Sequence, residues 1–290
     1  MTSNLEPRTS NLGSDIPKET PRNVLFQFVL FPLGIVLVAV GVFFLFGKLA
    51  TESHSIPDYL NAIRSGSSHE RWQAAYQLSK SLKRGEAARY PNLEQQVAAI
   101  YEQSKSDDPR IRRYLSMVLG SLGDRRATPL LLDGLNDRDP DNRIYVLMAL
   151  GELKDIASIP GIEQATHDSD KDVRKTAYFT LGEIGHPGAV PTLVDGLTDD
   201  VAEVRWNAAI SLSRFNDRRA VPVLREMLDR QRMNQVAGMR EDQKEDVMIM
   251  AMAPYARLAG PAARPDLQRV AATDPSLRVR AAAKSLMGQV

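Results

Sequence analysis

The sequence predicts an all-α protein: a right-handed α-solenoid of about seven helical hairpins behind one N-terminal transmembrane helix. Two observations carry this. Several residue types recur every 31 residues, namely Arg112, Arg143, Arg174 and Arg205; Pro129, Pro160, Pro191 and Pro222; and Gly120, Gly151 and Gly182. A fixed period of roughly 20 to 50 residues marks stacked supersecondary units. The second observation is the run VLFQFVLFPLGIVLVAVGVFFLFG, residues 24–47, which holds no charge. At about 1.5 Å per residue it reaches across a bilayer core of roughly 30 Å.

Residues 1–23 come first. They are rich in Ser, Thr, Asn and Pro, too polar to bury a core, and are expected to be a disordered tail. Residues 24–47 exceed the usual length of a signal-peptide apolar region, and Lys48-Leu49-Ala50 provides no small-x-small cleavage site. An uncleaved single-pass anchor in a bacterial inner membrane is the expectation. Arg8, Lys18 and Arg22 on one flank against Lys48 and Arg64 on the other lean toward a cytoplasmic N-terminus and an exported repeat domain. The repeat type points to the intracellular side, so orientation stays open.

The repeat domain is expected over residues 56–290. In AVPTLVDGLTDDVAEVRWNAAISLSRF, residues 189–215, Pro191 suits the first turn of one helix and Leu193, Val194 and Leu197 follow at helical spacing. Asp199-Asp200 then reads as the break and N-cap, and Val204, Ala208, Leu212 and Phe215 as the buried stripe of a second helix. The recurring LG motifs at 119, 150 and 181 read as the close of that second helix. Insertions interrupt the period near 83–94 and 230–246. In the sixth unit Met248 stands on the arginine beat, and in a shortened last unit the Arg position goes to Arg278. The insertion at 230–246 reads as a contact or moving loop.

The pattern running from Asp170 through Val173, Arg174 and Leu181 to Gly185, then from Ala189 and Pro191 to Asp199, resembles the HEAT-like repeat of the phycobilisome-lyase type. The resemblance covers about residues 56–290 and implies fold far more than activity. Iron-dependent deoxyhypusine hydroxylases share the superfamily, and the resemblance implies His-Glu ligand pairs just after the repeat arginine. Here those places hold Trp72-Gln73, Lys175-Thr176 and Trp206-Asn207, and the single His69-Glu70 is better read as part of a capping box opened by Ser67. A bilin-lyase-like activity is the other enzymatic alternative.

Setting the repeat arginine at 0° and advancing about 100° per residue places Val173, Ala177, Leu181 and Ile184 on a core face. The opposite face collects Trp72, Arg113, Lys175 and Trp206 one residue after the arginine, Tyr114 and Tyr145 two after it, and Tyr76, Met117, Met148, Phe179 and Ile210 five after it. An apolar and aromatic stripe dotted with cations has the composition of a partner-binding groove on a concave surface. Packing between adjacent second helices is the competing explanation. The arginines, beside Asp108, Asp139, Asp170 and Asp200, are expected to form a structural ladder.

Composition bounds the chemistry. With 290 residues, a net charge of +1 and no cysteine, the chain has no thiolate metal site, no disulfide and no strongly basic field for nucleic acid. No phosphate loop, nucleophile elbow or zinc-protease motif occurs. The expected function is that of a membrane-anchored, non-enzymatic adaptor for a protein or peptide, without cofactor or metal.

Overall fold

The computed structural model describes residues 30–50, with side chains up to 44, and residues 55–82, 89–90 and 92–288. The expected tail at 1–23, the start of the apolar run at 24–29 and most of the expected insertion near 83–94 lie outside the described residues.

The chain divides into two compact units, residues 1–54 and 55–290. Helix α1, Phe31–Ala50, belongs to the first. The residues from Leu30 to Phe44 are apolar, and all but Gly34 stand exposed. Among the described residues no helix is long and apolar enough to cross a membrane, so the anchor expected at 24–47 is not established by the fold.

The second unit is built of helices, with no strand among the described residues. Its first helices are α2 (Ile56–Ser65), α4 (Leu93–Gln103), α6 (Thr128–Gly134), α8 (Ile159–Ala165), α10 (Val190–Asp195), α12 (Val221–Glu226) and α15 (Arg264–Thr273). Each is followed by its second helix: α3 (Ser68–Ser81), α5 (Pro109–Leu122), α7 (Pro140–Leu153), α9 (Lys171–Ile184), α11 (Ala202–Ser213), α14 (Glu241–Ala259) and α16 (Leu277–Met287). A further short helix, α13 (Arg230–Gln235), sits in the sixth unit.

Most first helices open with Pro in their first turn, where the missing N–H costs nothing. Second helices pack directly on the second helices of the next hairpin, α5 on α7, α7 on α9 and α9 on α11. Val173, Ala177 and Leu181 are fully buried, with Ile184 half-buried at their edge, as the 3.6-residue pattern requires.

The recurring glycines have a different job from the one read in the sequence. Gly120, Gly151 and Gly182 lie inside α5, α7 and α9, not at their ends. A Cβ on Gly182 would stand 2.5 Å from the Ser211 Cβ, and one on Gly120 would stand 2.8 Å from the Ala149 Cα. At Gly120 and Gly182 neighbouring second helices come together at their backbones, and at Gly151 the nearest atom is the Thr180 methyl. The helices end instead on left-handed residues three positions later, Gly123, Lys154 and Gly185, the conformation that closes a helix with least strain in glycine.

Two register expectations change as well. The N-cap of α11 is Val201, with no side-chain cap, while Asp199 accepts from the Val201 N–H and Asp200 is exposed. In the last hairpin the arginine position is held by Arg280, whose Nη1 donates to the Asp274 carbonyl at 3.0 Å, as Arg174 does to Asp168. Arg278 instead pairs with Asp246 at 2.7 Å.

Candidate partner surface

The arginine column is consumed internally. Each guanidinium reaches the turn of the following hairpin: Arg71 to Asp107 at 2.7 Å, Arg112 to Asp137 at 2.6 Å, Arg143 to Asp168 at 2.8 Å, and Arg174 to Asp199 at 3.0 Å. Arg143, Arg174 and Arg205 also donate to the turn carbonyls of Asp137, Asp168 and Asp199. The same aspartates accept the N–H two residues on, from Asp139, Asp170 and Val201. Burial works against the Asp199 carboxylate, but Arg174 and the Val201 N–H outweigh it and hold its pKa low. The expected ladder is therefore real, although its main acids are Asp107, Asp137, Asp168 and Asp199; of those expected, Asp200 joins it at 3.2 Å from Arg174, while Asp108, Asp139 and Asp170 cap helices instead.

The residues of the stripe opposite the core differ in exposure. Met148 and Phe179, on adjacent second helices, are the most open, with 44% and 41% of their surface exposed. Trp72, Tyr76, Tyr114, Met117, Tyr145 and Ile210 are half-buried. Among these, Tyr76, Tyr114 and Tyr145 form an edge-to-face series across three hairpins, with ring centres 5.0 and 6.0 Å apart. The stripe thus both seals neighbouring helices and shows an apolar crest.

The cations of the stripe have partners. Arg113 bridges to Asp139 at 2.6 Å and Asp141 at 2.9 Å, and Lys175 is bound to Asp172. That lysine depresses the Asp172 pKa. Arg214 lies 5.8 Å from the Phe179 ring centre and pairs with Glu183 at 2.5 Å. Recognition by free Arg113 or Lys175 is not what this arrangement provides.

The two tryptophans part company. Trp72 is half-buried, with the Arg110 guanidinium 4.2 Å over its ring and His69 edge-on at 5.4 Å. Trp206 is only 3% exposed, and so is not a surface residue of the stripe. Gln235, Val236 and Ala237 of the insertion line, with it, a cavity of about 420 Å³. The indole Nε1–H of both tryptophans is shut off from solvent and meets no acceptor in the protein.

The insertion is likewise not a free loop. Met233 is fully buried in α13, and Arg230 pairs with Asp274 of the last hairpin at 2.7 Å. Sequence reasoning missed Arg230 because it sits where the preceding units place aspartate, 31 residues beyond Asp199.

Among the described residues no group of three or more His, Asp or Glu is arranged to hold a metal ion. The HEAT repeat family matches residues 97–166 and 159–238, the hairpins whose ladder is most regular. This is a HEAT-like repeat protein. No curated protein sequence matches it. Its fold is similar to the solved CpcE–CpcF complex of phycocyanin lyase from Nostoc sp. PCC7120, at 18% identity and a TM-score of 0.52, covering 82% of this chain and 96% of that one. It is also similar to the Escherichia coli protein YibA, at 17% identity and a TM-score of 0.50, covering 82% and 93%. Human deoxyhypusine hydroxylase aligns over 84% of this chain and 99% of its own, at 19% identity but a TM-score of 0.34, too low to bear on activity. The likenesses to the CpcE–CpcF complex and YibA place the HEAT-like repeat protein by fold alone.

Proposed function

We propose that this HEAT-like repeat protein is a membrane-anchored, non-enzymatic adaptor that takes a protein or peptide partner along its second helices. The observation that carries the proposal is the apolar crest of Met148 and Phe179, exposed on successive hairpins and flanked by the tyrosine series, beside cations already neutralised within the chain. Exposed aromatic and methionine side chains on a rigid scaffold are the usual anchors of a partner. The solved CpcE–CpcF likeness is itself a complex of two chains, which is in keeping with a binding role. The anchor reading is supported by the uncharged run at residues 24–47, of which α1 exposes apolar side chains.

A photo-crosslinking residue placed at Met148, at Phe179 or, as control, at exposed Ile156 in the full-length chain in native membranes tests this. Discrete partner adducts from 148 and 179 but not 156 are expected. The same adducts from all three places, or none from 148 and 179, overturn it. Extraction of the chain from membranes by alkaline carbonate would overturn the anchor alone.

A further inference from the structure

Helix α16 repeats, on a face that no described hairpin covers, two features by which earlier second helices hold the hairpin that follows them. The first is the ladder arginine. Nη1 of Arg143, Arg174 and Arg205 is pinned to the carbonyls of Asp137, Asp168 and Asp199 at 2.7, 3.0 and 2.8 Å. The pin leaves Nε and Nη2 of Arg143 and Arg174 to grip one aspartate of the next turn, Asp168 and Asp199. Nη1 of Arg280 is pinned in the same way, to the Asp274 carbonyl at 3.0 Å. Its Nε and Nη2 meet no carboxylate among the described residues, since Asp274 is gripped by Arg230, and Asp246 and Glu245 lie against Arg278.

The second feature is the contact glycine. Gly288 follows Arg280 at the same interval at which Gly120, Gly151 and Gly182 follow Arg112, Arg143 and Arg174. At Gly120 and Gly182 a Cβ would strike the next second helix, whereas at Gly288 nothing lies within 4 Å of it. Gly288 and Ala281 are exposed, and Leu277 keeps 74% of its surface open. Lys284, also exposed, stands where α9 has the buried Tyr178. Helix α16 thus carries Arg278, Arg280 and Lys284 with no acid of its own, and an end hairpin that merely closed a solenoid would need only a polar outer face.

We propose that this face docks a helical hairpin of a protein partner: an aspartate in the turn between the partner's two helices enters the Arg280 fork, and the second of those helices passes over Gly288. The ladder itself shows the occupant, because Arg71, Arg112, Arg143 and Arg174 each hold an aspartate from such a turn, and a guanidinium fork selects a carboxylate by geometry as well as charge. Lys284 asks for a further acid or a polar group on the partner's helix. A second copy of this chain does not supply the group. Its first turn reads Ser65-Gly66-Ser67, without an acid, and Glu70 is spent on the Ser67 N–H at 2.8 Å. The inference goes beyond the crest of Met148 and Phe179 and stands apart from it.

Two measurements on the full-length chain test it. In detergent, a copy of residues 183–216 appended directly after Gly288 continues the register and offers its Asp199 to Arg280. The unfolding midpoint should rise by at least about 3 °C. Asp199→Asn in the copy or Arg280→Met in α16 should each remove most of that rise, and the two together should remove no more than either alone. No rise, or a rise indifferent to both changes, overturns the docking face. In native membranes, a photo-crosslinking residue at Lys284 of the chain without the copy should give a discrete protein adduct through a segment with an aspartate between two helices. Arg280→Met should reduce that adduct by at least about tenfold, and the appended copy should abolish it by covering the face. No adduct, an adduct with a second copy of the chain, or one that survives both changes overturns the partner. Adducts from Met148 and Phe179 with none from 284 sink this inference and leave the adaptor reading; an Arg280-dependent adduct from 284 alone does the reverse.

Discussion

Arg230 grips Asp274 with a two-nitrogen fork, Nε at 3.1 Å and Nη2 at 2.7 Å, the same fork that Arg143 makes on Asp168. The ladder is thereby rerouted at the sixth hairpin. Ile249, one period before Arg280 and eleven residues before the helix-ending Gly260, as Arg174 is before Gly185, stands on the arginine beat in place of the expected Met248, so α14 has no guanidinium there to offer the last hairpin. Arg230 stands where earlier hairpins have aspartate, so Arg205 turns to Glu226 instead. The insertion therefore repairs a break in the ladder that the sixth unit creates.

Arg230→Met should be costly. The Asp274 side chain is 2% exposed, and leaving a buried carboxylate without its partner costs about 3 to 5 kcal/mol. Because repeat proteins are stabilised by nearest neighbours, faster amide exchange should be concentrated in α14, α15 and α16. Asp274→Asn in the same background should recover part of the loss. Arg240→Met, which breaks an exposed pair with Asp242, should change stability by less than about 0.5 kcal/mol. Equal effects of the two arginine variants in denaturant titrations would sink the ladder argument.

The helix-contact glycines should respond unequally to alanine. A Cβ at Gly151 first meets the Thr180 Cγ2 at 3.3 Å, a methyl that can shift, whereas one at Gly182 meets the Ser211 Oγ at 2.4 Å and Cα at 3.0 Å. Gly182→Ala should cost about 1 to 3 kcal/mol through overpacking. Gly151→Ala should lie near zero, because a gain of up to about 1 kcal/mol in helix propensity offsets a small repacking cost. Thermal denaturation of the two variants decides it.

The helical-hairpin architecture and the burial of Val173, Ala177 and Leu181 were legible because period and helical spacing are local properties of sequence. Three features were not. Gly120, Gly151 and Gly182 share a beat with true helix-ending residues such as Gly123 and Gly185, and only the neighbouring helix distinguishes contact from termination. Asp199-Asp200 looks like a cap until the Asp-x-Asp register of 137/139 and 168/170 is carried forward to Asp199 and Val201. Trp206 looked like the twin of Trp72 because both follow the repeat arginine, but Trp206 is buried, beside a cavity that the insertion some 30 residues downstream helps to line, while Trp72 is half-buried. The angular pattern on a helix shows which side is not core; what else comes to cover that side is a tertiary fact.

That difference between the tryptophans should be visible in solution. With Trp206 alone, in Trp72→Phe, emission should be blue-shifted and weakly quenched by iodide. With Trp72 alone, in Trp206→Phe, iodide should quench more strongly, and the cation over the ring should leave the slope sensitive to Arg110→Ala. Equal quenching slopes would contradict the burial of Trp206.

Tyr255 should make the last two hairpins sensitive to alkali. Its hydroxyl donates to the Asp266 Oδ2 at 2.6 Å, and burial together with that carboxylate pushes its pKa up to about 12. In the unfolded chain a tyrosine titrates near 10, so between about pH 10 and 12 the unfolded state releases a proton that the folded state keeps. The stabilisation is complete below pH 10 and disappears as pH rises through the folded value, up to about 2.5 kcal/mol in all. Tyr255→Phe should be less stable at pH 8 by about 1 to 3 kcal/mol for the lost charge-assisted bond. Its stability should nevertheless fall less steeply than that of the unaltered chain between pH 10 and 12. Denaturant midpoints for both proteins across that range measure the difference, which cancels the titration of lysines common to the two. Parallel pH profiles would mean that the Tyr255 hydroxyl does not hold its proton against Asp266.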